Sequence, residues 1–121
     1  MKKIFYYTDV LPFLAREEEA VQKLKRCLAV FRDAADDVRL VWHPYTRTPE
    51  YMERNGLDAG EYREILENYR QEGWGILDES DPSAKVREVL LGCDAYYGDA
   101  SDLAFEAQEA GLPVMLQDLE V

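Results

Sequence analysis

Histidine occurs once in this chain of 121 residues, at position 43, and cysteine only twice. With a single imidazole and no CxxC spacing, a zinc site is excluded. The two thiols, Cys27 and Cys93, read as small buried hydrophobes and not as a disulfide or a metal pair. Basic residues are also scarce, 14 against 25 acidic ones, for a formal charge of −11. A surface of that sign repels phosphate backbones, which excludes general binding of DNA or RNA. A small phosphorylated ligand is compatible with it, because helix N-termini and a few local arginines suffice to hold one. No apolar run approaches the ~20 residues that span a bilayer, and the start "MKKIFYYTDV" lacks the apolar stretch of a signal peptide. A soluble, cytoplasmic protein is expected. Repeats, low-complexity tracts and linkers are missing too, so residues 1–121 are read as one domain.

What is present is enough apolar material for a core, 47% of the residues. "KIFYY" (3–7), "VRLVW" (38–42), "GIL" (75–77), "DAYY" (94–97) and "PVMLQ" (113–117) are short runs rich in strand formers. Between Phe13 and Phe31 apolar residues recur every three or four positions, with "REEE" and "KLKR" on the opposite face. That spacing predicts one long amphipathic helix, with Pro12 in its first turn. "HPYTRTP" carries Pro44 and Pro49 and is read as a loop. A helix is predicted from about Asp58 to Gln71, closed by Gly73, with Tyr62, Ile65, Leu66 and Tyr69 inward. Another follows with Asp81 as cap, Pro82 at its first position and Val86, Val89 and Leu90 inward, and the last ends at Gly111. Apolar strands alternating with helices imply a parallel sheet covered on both faces, a Rossmann-like three-layer α/β/α sandwich. The order 3-2-1-4-5 is favoured, with the flavodoxin-like 2-1-3-4-5 equally compatible with the periodicity.

Ligands of such sheets collect at the carboxyl ends of the strands, near the switch in strand order. Those ends carry Thr8 and Asp9, His43 to Arg47, Asp78 to Ser80, Gly98 to Asp102, and Gln117 with Asp118. In the favoured order the "TD" and "GDAS" loops face each other. His43 is read either as a loop histidine bonded to nearby backbone or as a donor to a phosphate or sugar hydroxyl, with Arg47 in support. Asp99 is expected to cap the following helix through the N–H of Ser101 or Asp102. That helix start can equally bind an anion, with the Ser101 hydroxyl beside it. The expected ligand contacts are therefore His43, Arg47, Asp99 and Ser101, with Thr8 and Asp9 lining the cleft. Their roles are binding and orientation, not proton transfer, and no metal or cofactor is implied.

The segment "GWGILDESDPSAKVREVLLGCDAYYGDASDLAFEAQEAGLPVMLQ" resembles the C-terminal half of GT-B-fold transferases, closest to CDP-glycerol glycerophosphotransferase-like proteins. In those proteins a strand ends in a turn like "TDYSS", and "LVWHPYTR" resembles their "RPHP" segment. By position, Asp99 and Ser101 match the aspartate and first serine of "DYSS", and Asp102 replaces the second serine. His43 falls on the arginine of "RPHP" and Tyr45 on its histidine. The resemblance implies a domain that binds a nucleotide-diphosphate donor and works with an N-terminal partner domain or a second copy, without transferase activity of its own.

"SDLAFEAQEAGLPV" is also similar to the "GTAFEIGYAxxxGKPV" stretch of nucleoside 2-deoxyribosyltransferases, which implies Glu106 as a nucleophile. Ser101 and Asp102 replace that family's glycine and threonine, and "YYTDVLPF" lacks its glycine-bearing loop. A phosphorelay receiver fits less well, since it needs an acidic cluster after the first strand and a lysine after the fifth. A non-catalytic protein-interaction domain is the remaining reading.

Overall fold

The computed structural model describes residues 1–80 and 83–117. Its frame is set by one strand, β1 (Lys2–Thr8), whose alternate side chains go to opposite faces of the sheet. Tyr6 joins one apolar cluster, while Phe5 and Tyr7 join the other. A strand buried on both faces must sit inside a covered sheet, and β1 is central. It pairs in parallel with β2 (Val38–Pro44) on one side and β4 (Ala95–Gly98) on the other. Beyond these lie β3 (Ile76–Leu77) and β5 (Val114–Leu116), so the order is β3-β2-β1-β4-β5. This is the expected Rossmann-like order, with its switch between β1 and β4.

Helices α1 (Leu11–Ala15), α2 (Glu17–Asp33), α3 (Thr48–Arg54) and α4 (Gly60–Glu72) cover the first face. They bury Phe13, Leu24, Met52 and Tyr62 around Trp42, which is fully enclosed. Burial of each such side chain contributes about 1.5–3 kcal/mol. Helices α5 (Ser83–Leu91) and α6 (Asp102–Glu109) cover the second face through Val86, Leu90, Ala104 and Ala107. On the first face, the stretch over β4 and β5 is a groove of about 490 Å³ between α2 and the sheet edge, lined by Cys27, Val30, Tyr97 and Met115 among others.

Two predicted elements differ. The single long helix is two, broken at Arg16, whose φ of −144° and ψ of 62° are not helical. The Arg16 N–H closes α1 on the Pro12 carbonyl, and its own carbonyl accepts the Ala20 N–H to open α2. The run Glu17–Glu19 is thus the first turn of a helix, where negative charge is favoured by the helix dipole, with Glu18 and Glu19 exposed to solvent. The "HPYTRTP" loop also contains a helix. Pro44 completes β2, and Pro49 lies in the first turn of α3, where its missing N–H costs nothing. Cys27 lies in α2 and the buried Cys93 just before β4, both as free thiols. The expected cap Asp81, Pro82 and the strand-end residue Asp118 lie outside the described residues. No helix among the described residues is long and apolar enough to cross a membrane.

Candidate ligand-binding site

At the carboxyl edge of the sheet the "TD" and "GDAS" loops do meet. Gly98 ends β4 at φ +138°, and a Cβ there would lie 2.1 Å from the Tyr7 carbonyl oxygen. Only glycine allows this approach, and it brings the Asp99 N–H onto that same carbonyl, at 3.0 Å. The Asp99 carboxylate then accepts the backbone N–H of Asp9 (2.7 Å) and Nε2 of Gln117 (3.0 Å). The expected cap at Asp99 is therefore not made. Ser101 is the N-cap residue of α6, and no side chain caps that helix. Asp99 ties β1, β4 and the end of β5 together across the switch point. Burial pushes its pKa up, opposed by the Asp9 N–H and Gln117, while the nearby Asp9 charge adds to the rise.

Thr8 and Asp9 likewise hold structure. Thr8 is buried, its Oγ1 accepting the indole N–H of Trp42 at 3.0 Å. The Asp9 carboxylate accepts the Val10 N–H at 2.7 Å and, at 3.4 Å, the Tyr7 hydroxyl. Neither lines the open cavity on this edge.

That cavity, of about 440 Å³, lies on the second face above the ends of β1 and β2. His43, Arg47 and Ser101 all line it, with Tyr7, Tyr45, Ser80 and the start of α6 completing its wall. His43 is nine-tenths buried and lies near-parallel to the Phe5 and Tyr7 rings of β1, at ring-centroid distances of 5.8 and 6.0 Å. Its Nδ1 lies 2.9 Å from the Asp78 carbonyl oxygen and 3.1 Å from the Asp78 carboxylate. A carbonyl oxygen can only accept, so Nδ1 carries the proton. Nε2 makes no hydrogen bond among the described residues. Asp78 is itself fixed by the Ser80 N–H and hydroxyl, at 3.2 and 2.9 Å.

Arg47 reaches the cavity from the residue before α3, over the Tyr51 ring and paired with Glu50 at 3.2 Å. Both partners are about half exposed, so water screens the pair and it yields readily to a ligand. The Tyr96 hydroxyl donates to the Asp99 carbonyl and lies 3.1 Å from Ser101 Oγ. With its one proton so placed, Tyr96 accepts from Ser101, and a ligand gains that serine donor by a hydroxyl rotation. Burial holds the Tyr7 and Tyr96 hydroxyls well above their usual pKa, so both are neutral at pH 7.

No protein-family model and no curated protein matches this chain in sequence.

Of the six expected contacts the cavity thus gathers three, His43, Arg47 and Ser101, while Thr8, Asp9 and Asp99 brace the edge beside it. Strand-end reading did not single out Tyr7, Tyr96 or the pairing of Asp78 with His43. The parity of β1 and β2 carried a signal for Tyr7, since it faces His43 in register. Glu106 lies further along α6, outside the cavity lining, with Oε2 buried and unpartnered. Among the described residues no group of three or more His, Cys, Asp or Glu side chains is arranged to hold a metal ion.

Proposed function

We propose that the cavity binds a nucleotide-diphosphate-type ligand, as a donor-binding domain related to CDP-glycerol or nucleotide-sugar transferases would. The observation that carries this reading is the convergence of Arg47, Ser101, His43 and the uncapped start of α6 on one space of about 440 Å³. That volume is within the common range of small-molecule sites, about 300–1,000 Å³. Arg47 supplies a planar cation for phosphate oxygens, and the start of α6, which lines the same cavity, supplies backbone amide groups. Tyr45 and Tyr7 offer aromatic surface beside them. The carboxylate of Asp99 is held on Asp9 and Gln117 and does not line the cavity. Asp102 stays on the cavity rim and selects against ligands of high charge. A partner domain, N-terminal to this one or on a separate chain, would bring the acceptor. Two free thiols suit a reducing, cytoplasmic setting.

The test is thermal unfolding with CDP, UDP and CDP-glycerol. A ligand at 100 times its Kd stabilises by about 2.7 kcal/mol, so a rise of several degrees in Tm is expected at millimolar concentration. Arg47→Ala and Ser101→Ala should each cut that rise by half or more. A Tm unmoved by every nucleotide sinks the reading.

A further inference from the structure

The geometry points to His43 as a proton-transfer residue, positioned by Asp78, for hydrolysis of a phosphate ester or anhydride held in the cavity. Four observations meet here. The ring packs against Phe5 and Tyr7, near-parallel to both, at centroid distances of 5.8 and 6.0 Å. Nδ1 is pinned as a donor by the Asp78 carbonyl and carboxylate, at 2.9 and 3.1 Å. Ser80 fixes that carboxylate in turn. The ring lines a cavity of about 440 Å³, and Nε2 has no hydrogen-bond partner among the described residues. With the proton on Nδ1, the neutral ring presents a lone pair at Nε2, which can take a proton.

The step balances without any further reactant than water. The Nε2 lone pair takes a proton from a water molecule whose oxygen attacks phosphorus. A new P–O bond forms and the bond from phosphorus to the leaving oxygen breaks, that oxygen keeping the electron pair. The imidazolium, opposite the Asp78 carboxylate, returns its proton to the leaving oxygen or to solvent. Arg47 and the start of α6 take up charge on the phosphoryl oxygens. The inference rests on the nucleotide reading for the phosphate it acts on, and goes beyond it in making the domain a hydrolase by itself.

A single histidine makes the test direct. Nitrogen-15 NMR of the wild-type chain at neutral pH should show His43 protonated at Nδ1 and bare at Nε2, and Asp78→Asn should mix the tautomers. Diethylpyrocarbonate should modify Nε2, with CDP protecting it. Phosphorus-31 NMR with ADP-ribose, UDP-glucose and CDP-glycerol should show release of a nucleoside monophosphate from at least one. His43→Gln should then lose ~100-fold or more in rate, and Asp78→Asn, which leaves every cavity contact of the ligand in place, about tenfold while keeping the CDP-induced rise in Tm. A wild-type ring protonated at Nε2, no monophosphate from any probe, or full activity in His43→Gln overturns the inference. A Tm rise without turnover overturns it and leaves the binding reading standing, whereas the absence of any rise strikes the binding reading itself. If either variant does not fold, the tautomer and the diethylpyrocarbonate reaction of the wild-type chain decide.

Discussion

Asp99 shows how one side chain is diverted from the role its position implies. At the start of a helix an aspartate ordinarily accepts the first amide N–H groups of that helix. Here the close contact allowed by Gly98 turns it back across the sheet, onto the Asp9 N–H and the Gln117 amide. The carboxylate is stripped of water there, and desolvation outweighs its two hydrogen bonds, so the folded pKa is raised. The folded chain accordingly holds this proton more tightly than the unfolded one. The stabilisation from proton uptake is fully present below the ordinary aspartate value and is lost as pH rises through the folded pKa. Asp99→Asn keeps the shape and removes the titration. The stability of the wild type relative to this variant should therefore fall as pH rises across that window and level off above it. Urea unfolding of both proteins at half-unit pH steps reads the difference directly. A flat difference would show that the hydrogen bonds balance the burial, and one that grows with pH would show that they outweigh it.

At the scale of elements, β3 is only two residues long, yet it presents Asp78 to His43. Such a strand needs outside support. It comes from α4, where the Tyr69 hydroxyl reaches the carbonyls of Ile76 and Leu40, at 2.8 and 3.2 Å, and so joins β3 to β2. Gly75 makes room, since a Cβ there would lie 2.3 Å from that hydroxyl oxygen. Tyr69→Phe should cost about 1–2 kcal/mol and act locally. The amide of Asp78, bonded to the Trp42 carbonyl at 2.9 Å, should exchange its hydrogen at least tenfold faster, while the amides of β1 keep their rates. Unchanged exchange at Asp78 would mean that packing alone holds β3. Elements of this kind also mark how far the sequence could be read. Uniform apolar strands and the three-to-four spacing of α4 and α5 are legible because each pattern reports burial of the element that carries it. The sequence favours the observed strand order, and the meeting of the "TD" and "GDAS" loops follows from it. The break at Arg16 and the helix α3 were not legible. A charged run reads the same as a helix face or a helix start, and a proline reads the same in a loop or a first turn. The Asp99–Asp9 and His43–Asp78 contacts span 90 and 35 residues and leave no local trace.

Over the whole molecule the charge of −11 sets two effects against each other. Repulsion among surplus carboxylates opposes folding, and ion pairs such as Lys25–Glu61 and Arg63–Glu53 favour it. Salt weakens both, so the sign of its effect shows which is larger. The pairs are at 3.0 and 2.6 Å, each side chain about half exposed, and such contacts are worth about 0–1 kcal/mol each. Their attraction also acts at distances far below any Debye length used in practice. The repulsion is different in reach. A domain of this size has a radius of gyration of roughly 14 Å, well inside the Debye length of about 30 Å at 10 mM salt and well outside the ~7 Å at 200 mM. Raising the salt between these limits removes most of the long-range repulsion and little of the short-range attraction. Sodium chloride should therefore raise the urea midpoint at pH 7, by a stability gain on the order of 1 kcal/mol. The gain should saturate above about 200 mM, as screening does, and not climb in proportion to concentration, as exclusion of salt from the surface would make it. A falling midpoint would mean that the ion pairs act as a network stronger than their exposure allows, and that the acidic surplus is spread too widely to strain the fold.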